Sequence, residues 1–329
     1  MARVPDRPGP GAAFTLTDWL VFASIAGIWG GSFLFIKVGL ESMEPGVVTL
    51  VRVGLGAVTL NLLPGARVRF EGNDGRRMLG LSMLWVGLPF SLFPIAEQHL
   101  NSAVTGLLNG ATPMFTALFG WLLFRRRTEG PQLLGVGVGF AGIVLISLPS
   151  IDEGPSAAWG VALILVATSC YGLAVHVAAP LQARYGSLAV MGRMLALATI
   201  WTAPFGLWGL RDSHVELRPI LAVSVLGVVG TGLAFLLMGS LMGRVGSVRS
   251  SFITYLIPVV SLFLGVAFQD DHVELLALLG VVLVVAGAVL AARQEAPARP
   301  GEPGRPLSRS SRPSAGAGGA TPPPRGPVP

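Results

Sequence analysis

Cysteine is almost missing: Cys170 is the single one in 329 residues. An intrachain disulfide is therefore excluded, and so is a thiolate metal cluster. Cys170 falls within an apolar run, where it reads as a small buried hydrophobe. Histidine is equally thin, and His99, His176, His214 and His272 show no ligand spacing. The chain has no Walker-type phosphate loop, which argues against a self-contained ATP-driven pump, and no hydrolytic constellation. Neither a cofactor nor an enzymatic activity is expected. Charge is scarce too, at 12% of residues where a soluble domain carries roughly a quarter. The short alternating strands of a membrane barrel do not occur.

What remains is apolar sequence: 52% of residues are hydrophobic and the mean hydropathy is +0.68. Runs of about 20 apolar residues, enough to cross about 30 Å of hydrocarbon, are bounded by charge, glycine or proline. They fall near 19–38, 46–64, 78–98, 101–124, 131–149, 158–178, 186–208, 217–240, 248–268 and 273–292. The expected fold is an all-α polytopic membrane protein with ten transmembrane helices.

The chain also repeats itself. Shifted by 145 residues, Leu133-Leu134-Gly135-Val136 falls on Leu278-Leu279-Gly280-Val281, and Ala141-Gly142 on Ala286-Gly287. Ser102, Pro113, Gly120 and Glu129 likewise fall on Ser247, Pro258, Gly265 and Glu274. Five spans in each copy is an odd number, so the second copy must sit upside down. Two inverted five-helix repeats are the usual frame of a secondary transporter, with its site between them. The expected divisions are a cytoplasmic segment 1–18, a first repeat 19–149, a second repeat 158–292 and a tail 293–329. Gly135, Gly139, Gly142, Gly280 and Gly287 suit close helix packing in a bilayer.

Arg3 and Arg7 ahead of the first run mimic a secretory signal, but that run is long and leads to Glu41, Glu44 and Pro45; it reads as a retained helix. With the N-terminus inside, eighteen arginines fall on the cytoplasmic side and two, Arg211 and Arg218, opposite. Both termini are thus expected in the cytoplasm of a multi-pass cell-membrane protein. This bias accounts for the net charge of +6 without a nucleic-acid partner. The segment 293–329, rich in Pro, Gly, Ser and Arg, is expected to be disordered.

Polar residues at mid-membrane are costly and therefore informative. Asn109 lies roughly 12 Å into its span at 1.5 Å per residue, followed by Thr112 and Pro113. In the second half Ser251, Thr254 and Tyr255 precede Pro258. Each proline frees a backbone carbonyl and can kink its helix, exposing polar backbone to a cavity. Trp29, Ser32 and Tyr171 sit midway along their spans and are further candidates to line it. Simple helix–helix hydrogen bonding by the Asn and Thr side chains is the competing explanation. The charges Arg52, Glu97 and Arg193 are candidate gate or coupling residues. Glu97 is the foremost candidate partner for Arg52, with Glu41 and Glu44 as rivals; Lys37 and Glu41 also fit an i, i+4 pair. Snorkelling towards headgroups is the alternative for these charges. Glu97 and His176 are the groups that could serve proton coupling.

These blocks resemble the EamA type of the drug/metabolite transporter superfamily over nearly all of 19–292. The resemblance rests on Trp29-Gly30-Gly31-Ser32-Phe33 with Lys37, Pro45 and Arg52, and on Glu97-Gln98 followed by Leu108-Asn109-Gly110-Ala111-Thr112-Pro113. It continues in Gly246-Ser247 and Thr254-Tyr255-Leu256-Ile257-Pro258, then Gly265 and Asp271. It implies helices one to four and six to nine around a central cavity. It also implies alternating access and export of small metabolites, amino acids or toxic compounds. The family usually carries a glutamate where the fourth helix ends. Asp271 fills that position in the second half, whereas the first half departs from it with Arg126. The expected partners are a small-molecule substrate, a proton as candidate coupling ion and the lipid bilayer; monomer and homodimer both stay open. A lipid flippase or scramblase on the same fold is the alternative function. A membrane enzyme or receptor would need a catalytic cluster or sensory domain, and the sequence offers neither.

Overall fold

A computed structural model describes residues 14–123, 130–245, 250 and 252–292. Among these, every regular element is helical. Helix α1 (Leu16–Gly39) is interrupted at Gly31, and α2 spans Pro45–Asn61. Helix α3 covers Asp74–Glu97, and α4 runs over Ser102–Asn109 and then Thr112–Leu122. They are followed by α5 (Gly130–Asp152), α6 (Pro155–Tyr185), α7 (Ser187–Gly209) and α8 (Leu217–Val245). Helices α9 (Ile253–Gln269) and α10 (Leu275–Ala292) complete the described chain. By length and composition six helices can cross a membrane: α1, α3, α6, α7, α8 and, from Leu133, α5. Pro45–Asn61, Ile253–Gln269 and Leu275–Leu290 are shorter apolar helices.

Local chemistry sets the helix ends. Thr15 and Asp18 form a reciprocal capping box at the start of α1: the Asp18 amide donates to the Thr15 hydroxyl at 3.2 Å and the Thr15 amide to the Asp18 carboxylate at 3.0 Å. Phe14, one residue before the cap, packs on Trp19 with ring centroids 4.8 Å apart, a hydrophobic staple. Helices α6 and α7 are joined through Gly186 alone, whose φ of 85° lies where a side chain would be strained. Helix α3 contains a π-turn at Met83–Gly87, and α8 contains one at Val228–Leu233. Their starting residues are 145 positions apart, the offset of the sequence repeat.

The packing partners form a patterned set. Helix α2 packs on α7, α4 on α9 and α5 on α10. Contacts of α3 with α6, α4 with α6 and α2 with α8 are each matched by α8 with α1, α9 with α1 and α7 with α3. Small residues make the closest approaches. A Cβ on Gly142 would lie 2.5 Å from the Gly280 carbonyl oxygen, and one on Gly287 would lie 2.5 Å from that of Gly135. These two contacts exchange under the 145-residue shift, so the α5–α10 seam is built from paired glycines.

Polar contacts tie the connecting segments together in two groups. In one, Arg218 pairs with Glu41 at 3.3 Å, the His214 amide donates to the Ser42 carbonyl, and Asn101 donates to the His272 carbonyl at 3.1 Å. In the other, Arg244 pairs with Asp18 at 3.3 Å, and Arg184 with Asp74 and Glu71 at 2.9 and 2.8 Å. Buried apolar side chains form two clusters. One is centred on α1, α4, α6 and α9 and the other on α2, α3 and α7, and Tyr171 packs against both.

Candidate functional site

Tyr171 marks where a charged cluster is buried. Arg52 on α2 is 6% exposed and Glu97 at the end of α3 is fully buried. An ion left bare at such depth costs several kcal/mol, so each needs a partner. Arg52 meets its need in two ways. Its guanidinium lies 4.0 Å from the centroid of the Phe90 ring, and its Nε donates to the Thr231 hydroxyl at 3.2 Å. Thr231, in the π-turn, gives its own proton to the Leu226 carbonyl at 3.1 Å, five residues back and just ahead of that turn. The hydroxyl oxygen is thereby left free to accept from arginine. Helices α2 and α8 cross tightly enough for this because a Cβ on Gly227 would lie 3.0 Å from the Arg52 carbonyl.

Phe90 is held by a consequence of Pro94. Proline has no N–H, so the Phe90 carbonyl one turn earlier loses its helical donor. Thr49 reaches it from α2, its one hydroxyl proton shared between the Pro45 carbonyl at 2.8 Å and the Phe90 carbonyl at 3.0 Å. Phe93 stacks on Tyr171 with centroids 6.0 Å apart and meets Phe33 at 5.7 Å, so aromatic rings wall the cluster. Lys37 closes it on α1. Its ammonium donates to the carbonyls of Glu97 and Leu100 at 2.7 and 3.2 Å, a cation on the C-terminal end of α3. Glu41 pairs with Arg218 instead of Lys37. The two carboxylate oxygens of Glu97 have no hydrogen-bond partner. The charges that act on Glu97 are the attractive Lys37 and Arg52 and the repulsive Asp271.

Asp271 is fixed by the turn before it. Asp270 ends α9 in the left-handed region at φ 52°, and the Asp271 amide donates back to the Gly265 carbonyl. The Asp271 carboxylate then accepts from the Ser102 hydroxyl at 2.7 Å and the Ala103 amide at 2.8 Å, while Asn101 accepts from the Val104 amide at 2.8 Å. One orphan donor of the first turn of α4 is thus met by its own N-cap Asn101 and another by Asp271, from the α9–α10 connection.

The remaining expected residues are placed as follows. Trp29 packs on Phe235 of α8, ring centroids 5.9 Å apart, and Ser32 is buried with its hydroxyl on the Ile28 carbonyl. Asn109 ends the first segment of α4, and the Thr112 hydroxyl donates to its carbonyl at 3.0 Å. Pro113 lies in the first turn of the second segment, while Pro258 lies inside an unbroken α9 and packs on Gly110. Tyr255 donates to the Ala288 carbonyl of α10 at 3.3 Å, and Thr254 is half-buried beside it. Ser251 lies outside the described residues. Arg193 lies apart from Arg52 and Glu97, exposed on α7 with its guanidinium 5.8 Å from the Phe70 ring. The structure therefore sets Glu97 and Tyr171 within electrostatic reach of Arg52, without the Arg52–Glu97 ion pair expected from the sequence, and adds Phe90, Thr231 and Thr49 to the cluster. Pro94, four residues after Phe90, is the signal that could have found the Thr49–Phe90 link. Among the described residues no three His, Cys, Asp or Glu side chains converge as metal ligands.

An all-helical membrane architecture with charge buried between helices defines an integral membrane protein built around a polar interior rather than an apolar anchor. The comparisons give its family. The EamA-like transporter family matches residues 17–148 and 158–293, and the chain belongs to it. Among curated relatives it is similar to a "Probable amino-acid metabolite efflux pump" of Escherichia coli K12, 25% identical over 82% of this chain and 93% of that one. It is also similar to the "Uncharacterized inner membrane transporter YedA" of the same organism, 26% identical over 80% of this chain and 86% of that one. One solved crystal structure shares the fold with a TM-score of 0.59 at 20% identity, covering 84% of this chain and 99% of that one.

Proposed function

We propose that this transporter exports a small organic metabolite, an amino acid or related compound or a toxic compound, by alternating access about the Arg52–Glu97 centre. The observation that carries this reading is the burial of that centre. An arginine and an unpartnered carboxylate sit among Phe33, Phe90, Phe93 and Tyr171, closed to solvent, where α1, α2, α3, α6 and α8 meet. Charge kept at such a place marks a substrate or ion pathway. The aromatic walls suit the apolar part of an organic solute, and Arg52 and Glu97 suit its ionic ends. Glu97 is the group that would carry a coupling proton.

The proposed frame is ten spans in two inverted repeats, 19–149 and 158–292, flanked by 1–18 and the tail 293–329. The packing pairs that exchange under the 145-residue shift support it, as do the matched π-turns and the mirrored glycine contacts. The loop contacts support the inversion: Glu41, between α1 and α2, pairs with Arg218 at the start of α8. Arg184, near the α6–α7 turn that corresponds to Glu41's own, pairs instead with Asp74 at the start of α3. The arginine bias supports cytoplasmic termini in the cell membrane, and the inner-membrane relative supports that location. Asn109, Thr112, Thr254, Tyr255, Ser251, Trp29 and Ser32 remain the proposed cavity lining of the same pathway.

Counterflow in proteoliposomes tests this, using a panel of amino acids, amines and nucleosides with and without a pH gradient. The expected result is exchange of at least one panel member, reduced at least about tenfold in Arg52→Gln and Glu97→Gln. Movement of labelled phospholipid without exchange of any solute would replace this reading with that of a flippase.

A further inference from the structure

A cavity of about 390 Å³ opens away from the buried centre, lined by Arg69, Phe70, Gly75, Met78, Leu79, Arg193 and Leu197. Its two arginines lack carboxylate partners among the described residues. The nearby acids are already engaged, Asp74 by Arg77 and Arg184, and Glu71 by Arg184. Arg193 is fixed over the Phe70 ring, which in turn packs on Tyr185 at 4.5 Å. Arg69 comes from the segment between α2 and α3, so the two cations converge from different elements on one opening.

The rest of the slot changes character with depth. Arg193, Leu197 and Trp201 stand at i, i+4 and i+8 on one face of α7, a charge followed by two apolar side chains. Arg193 is roughly 9 Å along the helix from Ser187, and Trp201 roughly 12 Å further, at 1.5 Å per residue. The Trp201 indole N–H donates to the Ser82 hydroxyl at 3.1 Å, tying α7 to α3 behind the slot. Leu79, 44% exposed, lines the α3 side, and Met83, 43% exposed, follows it one turn further along that helix, beyond the cavity. A free phosphate would use the arginines alone. A second cavity of about 290 Å³, lined by Gly65, Tyr185, Ser187, Phe235 and Ser240 among others, has no charged lining.

We propose that the Arg69–Arg193 cavity binds one anionic phospholipid, its phosphate between the two guanidiniums and an acyl chain along Leu197, Trp201, Leu79 and Met83. The lipid belongs to the leaflet on the arginine-rich face of the protein. Two cations on one phosphate favour an anionic over a zwitterionic headgroup.

Native mass spectrometry of the full-length detergent-solubilised chain tests this with phosphatidylglycerol, phosphatidylcholine and glycerol 3-phosphate as probes. A single phosphatidylglycerol is expected to bind at least about tenfold more tightly than phosphatidylcholine, with that preference lost in the doubly substituted Arg69→Gln, Arg193→Gln chain. Arg76→Gln, at an exposed arginine outside the cavity, is expected to leave it unchanged. Equal binding of the two lipids, or a preference that survives the double substitution, overturns the proposal. Glycerol 3-phosphate binding as tightly as phosphatidylglycerol would overturn the lipid assignment in favour of a soluble phosphate. Both variants change exposed side chains, and unaltered thermal unfolding confirms that each is folded.

Discussion

Thr231 receives the Nε–H of Arg52 while giving its own proton to the Leu226 carbonyl, so one hydroxyl links a π-turn to a buried cation. Thr231→Val keeps the shape and removes both bonds. It is expected to cost about 1–3 kcal/mol, because an ionic donor loses its acceptor in a buried place. Thr231→Ser should restore most of that. Thermal unfolding of the purified protein reads the difference.

Glu97→Gln should behave in the opposite way. Neither carboxylate oxygen has a hydrogen-bond partner, so the amide loses no contact and removes a desolvated acid. Thermal stability is expected to hold or rise while counterflow falls. A drop in stability equal to that of Thr231→Val would make Glu97 a structural group.

Lys37→Met leaves the carbonyls of Glu97 and Leu100 without their charged donor. A loss of about 1.5–3 kcal/mol is expected for hydrogen bonds from a charged group. Lys37→Arg, which can reach the same carbonyls, should lose less. The comparison separates the charge on the end of α3 from mere bulk.

The α5–α10 seam gives a prediction with an internal control. Gly142→Val pushes a side chain into the Gly280 backbone and should destabilise by about 1–3 kcal/mol. Gly137→Ala on the same helix meets nothing within 4 Å and should be neutral or stabilising by up to about 1 kcal/mol.

The helices were legible because apolar runs of about 20 residues are bounded by charge, and six of them are long and apolar enough to cross a membrane. The run at 186–208 falls on Ser187–Gly209, and that at 101–124 on the two segments of α4. Helix α6 extends to Tyr185, past the run's end at 178, because Gln182 and Arg184 continue the helix in polar surroundings where hydropathy gives no signal. The π-turns at Met83–Gly87 and Val228–Leu233 escaped because an extra residue per turn depends on neighbouring helices, not on local composition. Arg52 and Glu97 stood out as ions in apolar sequence. Thr231 and Phe90 did not, since a threonine and a phenylalanine are ordinary in a span until a cation is packed against them. Asp271 was marked by resemblance alone, and its contact with the first turn of α4 depends on a left-handed turn at Asp270 that no motif announced.

Alternating access around the Arg52 centre is tested most directly by a thiol placed beside it. Ser32 is buried, and its hydroxyl would lie 3.6 Å from a Cβ on Gly230, next to Thr231. Ser32→Cys in a Cys170→Ala background, in sealed vesicles, is exposed to a membrane-impermeant thiol reagent from each side in turn. Modification from either side is predicted, as the centre opens to one face and then the other. Modification from neither side, or from one side only, would contradict the account.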